Sequence, residues 1–346
     1  MSVGQSSVVQ SINSFFLRSG LTAQDQLDCY TFVQKLYPNK SISPATCQGY
    51  CSLTVFVGDD TVIQFRPSNY RLDLRITSAA RDVYGRFAPK TEYIATLPAS
   101  DLLVYRMEKI GGIPFKDLLY RGAISGRSMS VRVRLCRDFA VFLSKSWHRS
   151  STEHLPLGTV GRSIRARLIS LTEDLPVRFR ASARHVLVGL HRIEALPWVL
   201  THGDIVAANI MVDPSFGVLT GLVDWAEAEN LPFGICLYGV EEILGEITPT
   251  GFQYRPDAEY LRAIFWAELK RSIPALGVSH IFEAVKLARD LGVLLWHGIA
   301  FDDGAIDRVV QEGRDVDEIH KLEAFLTLGD CSRLEESKLE GGCPKL

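Results

Sequence analysis

The chain has 346 residues, long enough for two lobes with separate cores, and its 38 basic against 40 acidic side chains leave a net charge of −2, which excludes a strongly basic protein and gives no reason to expect a nucleic-acid or anionic-membrane partner unless a local basic patch supplies one. Seven scattered cysteines, with only Cys47 and Cys51 close together, describe reduced thiols rather than a disulfide scaffold or zinc module. The N-terminus lacks a leader pattern and no apolar run approaches the roughly 18 residues of a membrane span, so the cytoplasm is the expected compartment.

Residues 1–45 read as a polar helical extension, with "DQLDCYTFVQKLYP" its clearest amphipathic piece and Pro38 as the stop. The period then changes to that of strands. "YCSLTVFV" and "TVIQFRP" are rich in β-branched and aromatic residues, and Gly58-Asp59-Asp60 between them makes a hairpin turn. "LDLRITSAARDVYGRFAP" predicts a helix with Leu72, Ile76, Ala79, Ala80 and Val83 on one face, ended by Gly85 and Pro89. "LLVYRMEKIGGIPF" follows as a buried strand running into a Gly-Gly-x-Pro turn. Residues 46–112 thus form a small sheet with one helix.

From 113 to 325 helices dominate. "VRVRLCRDFAVFLSKSWHR" puts Leu135, Phe139, Phe142 and Leu143 at helical spacing, and 255–300 holds two or three more helices. The interruption lies at 198–225, where "WVLTH" and "GVLTGLVDW" read as short strands around a loop. The tail, 326–346, is polar and is expected to be disordered. The fold class is α+β: a small β-rich lobe, then a larger helical one.

The chemistry concentrates in "VLTHGDIVAANIMVD" and the "GLVDWAE" that follows. A loop of this length can turn Asp204 and Asn209 into one cavity, and Asp224, after the next strand, would lie near Asn209. An amide carbonyl and a carboxylate are hard oxygen donors suited to Mg²⁺, which keeps several waters and shares phosphate oxygens. A further carboxylate, free of metal, suits a base for an attacking hydroxyl. These are the parts of phosphoryl transfer. Taken singly, Asp204 also suits a turn cap, His202 a core histidine and Asp224 a helix cap.

"LTHGDIVAANIMVD" with "GLVDWAEAE" resembles the catalytic and metal-binding segments of the aminoglycoside phosphotransferase and choline kinase-like family, whose fold is related to the protein kinases. "QGYCSLTVFV", "VIQFRP", "LDLRITSAARDVYG" and "NLPFGICLYGVEEILG" are similar to a largely uncharacterised fungal branch of it. The resemblance covers about residues 45–300 and implies a bilobal kinase-like fold, ATP as co-substrate, Mg²⁺, and a small-molecule acceptor. It implies Asp204 as catalytic base, His202 as the residue shaping its loop, and Asn209 and Asp224 as metal ligands. The hairpin at "QGYCSLTVFV" would lie over the phosphates, and Met107 to Ile110 would be the adenine-binding hinge.

The pattern departs from the family in places. Gly49 is the only glycine of the hairpin before Gly58, and Arg66 stands where a phosphate-binding lysine is expected, with Asp82, or else Asp73, as its helix partner. "NLPFGICLYGVE" replaces an acid-rich run, and Glu227 and Glu229 read as solvated, as caps, or as neighbours of a second metal, with solvation favoured. Three functions stay open: a small-molecule kinase, a pseudokinase-like binding protein, and a cleft reused for a non-phosphoryl reaction in natural-product biosynthesis. Trp266, Glu268, Trp296 and His297 are candidates for the acceptor pocket, though the tryptophans suit a core equally. Oligomeric state is not legible.

Overall fold

A computed structural model describes residues 3–46, 48–120, 129–149, 155, 157–302 and 305–326. Cys47, Cys331, Cys343 and the tail beyond 326 lie outside the described residues. The chain divides into two compact units, one of Met1–Gly111 with Thr220–Ala226, the other of Gly112–Leu219 with Glu227–Leu346.

The first unit opens with helices α1 (Val3–Arg18) and α2 (Ala23–Leu36). Thr22 starts α2 through a capping box with Asp25, each side chain bonding the other's backbone amide. Five antiparallel strands follow: β1 (Ile42–Pro44), β2 (Leu53–Val57), β3 (Thr61–Arg66), β4 (Thr91–Thr96) and β5 (Leu103–Glu108), in the order β1-β2-β3-β5-β4. The hairpin turn falls at Gly58-Asp59-Asp60, with Val57 opposite Thr61. Strand β1 was not expected from sequence; Pro44 is tolerated because β1 is an edge strand. Alternate residues Leu53, Val55 and Val57 of β2 point inward and share a core with Ile12, Phe15, Phe16, Cys29 and Val33 from α1 and α2.

Helix α3 (Leu74–Tyr84) begins later than its apolar pattern suggested. Asp73 caps it by accepting from the Arg75 amide, which leaves Leu72 buried outside the helix. Tyr84, rather than Val83, completes the buried face, and Gly85 at φ 61° ends it.

The second unit is mainly helical. It contains β6 (Ile113–Pro114), α4 (Phe115–Tyr120), α5 (Met129–His148), α6 (Thr159–Asp174), α7 (Val177–Val188) and α8 (Leu190–Glu194). Strands β7 (Trp198–Thr201) and β8 (Ile210–Val212) follow, and β9 (Leu219–Leu222) carries the chain back into the first unit. After β10 (Glu229–Pro232) come α9 (Gly239–Leu244), β11 (Gly245–Thr248), β12 (Gly251–Tyr254), α10 (Ala258–Ser272), α11 (Ser279–His297), β13 (Ile299–Asp302) and β14 (Ala305–Val309), then, last among the described residues, a helix α12 at 316–326. Leu135, Phe139, Phe142 and Leu143 are all buried, as their spacing requires, and α5 packs on α10 through Phe139 and Phe265. Among the described residues no helix is long and apolar enough to cross a membrane.

A buried ionic cluster crosses this unit. Glu241 accepts from Arg262 at 2.8 Å and from Arg289 at 2.9 Å. Taking such charges out of water costs several kcal/mol per ion, so the cluster depends on its reciprocal pairing.

Candidate active site

The segment 202–209 is held at both ends by strands of the second unit. Before it, Thr201 of β7 pairs with Glu229 of β10. After it, Met211 and Val212 of β8 pair with Pro114 and Ile113 of β6. Ile205 is fully buried, an apolar wedge that anchors the loop, whereas Asp204 and Asn209 remain partly exposed.

Within the loop the polar groups are committed to one another. The Asn209 side-chain amide donates to the Asp204 carboxylate at 2.9 Å and to the Asp204 backbone carbonyl at 3.0 Å. His202, 1% exposed, accepts at Nδ1 from the Asp204 amide at 3.3 Å. The structure therefore brings three of the sequence-predicted residues together. With its nitrogen donating to Asp204, Asn209 keeps its carbonyl oxygen as an acceptor, the kind of donor a hard cation takes.

Gly203 makes this geometry possible. It adopts φ 81°, and a Cβ there would lie 2.1 Å from the Glu227 carbonyl oxygen. No other residue fits both constraints.

Helix α9 and the turn before it support the loop from behind. Tyr238 accepts the Ile205 amide on its hydroxyl at 3.2 Å, and Glu242 accepts the Ala207 amide at 3.4 Å. The Ala207 carbonyl in turn accepts from the Lys116 amide at 2.9 Å. Burial, then the nearby Asp204 charge, pushes the Tyr238 hydroxyl well above its ordinary pKa and keeps it protonated. Glu242 also pairs with Lys321 of α12 at 2.7 Å. Neither Glu242 nor Lys321 was singled out from sequence; each is one charge in a helical segment, and nothing local marks it as a loop support.

Asp224 lies in the first unit, exposed, at φ 62°. A non-glycine residue in the left-handed region is uncommon and costs on the order of 1–3 kcal/mol when strained. Trp225 stabilises the turn: its indole nitrogen donates to the Leu222 carbonyl at 3.0 Å, and its ring lies 4.9 Å from that of Tyr84.

Arg66, also in the first unit, is 3% exposed. It donates through Nε to the Tyr70 carbonyl at 2.8 Å and through Nη1 to Gln64 at 2.9 Å. Among the described residues it bonds neither of its expected partners. Asp73 caps α3 and pairs with Arg75, while Asp82 is exposed. The ion pair that ties α3 to the sheet runs the other way round, from Arg81 of the helix to Glu108 of β5 at 2.8 Å.

The Gln64 contact belongs to a longer network. Gln64 donates to the Thr54 hydroxyl at 3.3 Å, and the Thr54 amide donates to Gln48 at 2.9 Å. Gln48 then donates to the carbonyls of Thr54 and Ala45 at 2.8 and 3.0 Å. This glutamine organises the loop between β1 and β2, where a glycine-rich sequence is lacking. In the hinge candidate, Met107 sits inside the sheet opposite both Val62 and Thr91, whereas Ile110 lies beyond the last strand residue and is buried.

The two acids open between solvation, capping and a second metal divide: one caps a helix and the other is solvated. Glu229 is not solvated: it is buried and accepts from the Val160 and Gly161 amides at 3.0 and 2.7 Å, neutralising the start of α6. Glu227 is exposed. Of the acceptor candidates, Trp266 packs edge-on against Phe265 and Phe282, and Trp296 stacks on Tyr238. Glu268 pairs with Arg271, and buried His297 bonds Glu318 at 2.6 Å through Nδ1.

Residues 48–234, more than half of the chain, match the phosphotransferase enzyme family, APH. The chain belongs to that family. No curated protein matches it. Among solved structures, the chain is similar to APH(2")-IIia, in a complex with GDP and kanamycin, at 15% identity and a TM-score of 0.53, over 91% of this chain and 100% of that one. It is also similar to the aminoglycoside phosphotransferase APH(3'')-Id from Streptomyces rimosus, at 13% identity and a TM-score of 0.49, over 77% of this chain and 97% of that one. At these identities the first likeness establishes the fold, the α+β kinase-like one of this phosphotransferase, and no more.

Proposed function

We propose that the protein transfers the γ-phosphoryl group of ATP, with Mg²⁺, to a hydroxyl of a small molecule. The observation that carries this is the Asp204 carboxylate: partly exposed, fixed by Asn209, and presented by a loop that only glycine at 203 permits. In this reading the acceptor oxygen attacks the γ-phosphorus, the bond to the bridging oxygen of the diphosphate breaks, and Asp204 takes the hydroxyl proton. His202 holds the backbone that aims Asp204. Asn209 and Asp224 are the ligands for Mg²⁺, which when bound neutralises phosphate charge. Arg66 and the Gln48-ordered loop contact the phosphates, and Met107 to Ile110 meet the adenine. The relative solved with GDP and kanamycin supports a nucleotide and a small-molecule acceptor in this chain.

A second reading, a nucleotide-binding protein without turnover, draws on Arg66, which is buried and, among the described residues, bonded to neutral groups and to no carboxylate. Thermal stabilisation tests binding: at a hundredfold excess of Mg-ATP over its Kd, about 2.7 kcal/mol of added stability is expected, lost in Asp224→Ala. Release of phosphate from Mg-ATP tests turnover. Stabilisation without turnover selects the second reading, and no stabilisation by any nucleotide rejects both.

A further inference from the structure

The loop that presents Asp204 is gripped from a part of the chain beyond the region that matches the family. Tyr238 and Glu242 stand four residues apart, one helical turn, and receive the amides of Ile205 and Ala207, two residues apart on the loop. A carboxylate buried as deeply as that of Glu242, whose side chain is 7% exposed, is costly to bury unless it is paired. Lys321 supplies it at 2.7 Å from α12, itself 14% exposed. Burial alone would lower the pKa of this ammonium, but the facing carboxylates of Glu242, Glu318 and Asp204 outweigh it and raise it, so the lysine is charged.

We propose that Lys321 is a positioning residue for Asp204: by holding Glu242 as a charged acceptor for the Ala207 amide, it makes the last described helix part of the catalytic loop's support. An apolar pair would join α12 to α9 at lower desolvation cost, but could not accept the amide. Asp204 is then aimed by three elements: Tyr238 before α9, Glu242 on it, and Lys321 on α12. The inference rests on the phosphotransfer reading.

The test uses the full chain and hydrolysis of Mg-ATP, water taking the place of the unidentified acceptor. Lys321→Met is expected to lower kcat by about tenfold to a hundredfold, the cost of a misplaced catalytic group, with KM for Mg-ATP within about twofold of wild type. Lys321→Arg, which keeps the charge, restores most of the kcat. Hydrogen exchange at residues 203–209 is faster in Lys321→Met than in wild type. Should Lys321→Met fail to fold, the double variant Lys321→Gln, Glu242→Gln leaves no lone buried charge and is assayed in its place, with the same loss of kcat expected. Unchanged kcat in either variant, or a loss that Lys321→Arg does not recover, overturns the inference. Asp204→Asn separates the two levels: if it hydrolyses Mg-ATP like wild type the phosphotransfer reading falls, whereas an inactive Asp204→Asn beside a fully active Lys321→Met removes only Lys321.

Discussion

Two loops carry the proposed chemistry, and they are built differently. The one at 202–209 is wedged by buried Ile205 and fixed by a tyrosine, a charged carboxylate and a glycine that admits no side chain. The one between β1 and β2 is ordered by neutral hydrogen bonds, chiefly of Gln48. From outside, Arg18 of α1 adds a bond to the Tyr50 carbonyl at 2.8 Å and lies 3.9 Å over the tyrosine ring. A group that must aim a base needs fixed geometry, while a segment over phosphates has to open and close with nucleotide. Charged and buried contacts suit the first task, neutral and half-exposed ones the second.

Substitutions can break this contrast. The largest effect is expected at Asp204: Asp204→Asn should lower turnover by about 10² to 10⁴ while leaving Mg-ATP stabilisation intact, as measured by phosphate release and thermal shift. Gly203→Ala comes next. A methyl group 2.1 Å from a backbone oxygen, at φ 81°, should destabilise the second unit by on the order of 3 kcal/mol or more in chemical denaturation. A loss under about 1 kcal/mol would mean that the loop is more yielding than its contacts indicate.

In the first unit the effects should be smaller and fall on nucleotide affinity. Asp224→Gly relieves the left-handed strain, so it should gain about 1 kcal/mol of stability while losing stabilisation by Mg-ATP. Opposite signs in one variant would mark strain kept for function. Gln48→Ala removes three hydrogen bonds and should cost about 1–2 kcal/mol, chiefly seen as a severalfold rise in KM for Mg-ATP at nearly constant kcat. Arg18→Ala, acting at an exposed pair, should change KM by about twofold or less. If Gln48→Ala instead lowered kcat as Asp204→Asn does, the division of labour between the loops would be wrong.

Much of this arrangement is local in the chain, and those parts were legible. The β2–β3 hairpin follows from two β-branched runs around Gly58-Asp59-Asp60, and Asp204 and Asn209 meet because the four residues between them turn one back to the other. Features that join distant segments were not. Capping was only one of three open readings of Glu229, because the α6 amides it neutralises begin 69 residues earlier. β1 is three residues long and carries a proline, too little pattern to announce a strand.

The order of residues by itself determined the spacing of His202, Asp204 and Asn209, the glycine between them, and the alternation and helical stripes from which an α+β chain follows. These are decided within a few turns of backbone, where steric limits and side-chain period act directly. Tertiary structure alone decided that Lys321 stands behind Glu242, that Glu242 holds the loop at 202–209, and that Arg66, among the described residues, bonds no carboxylate. Each of those depends on which charges are brought together and taken out of water, and burial has no local signature in sequence.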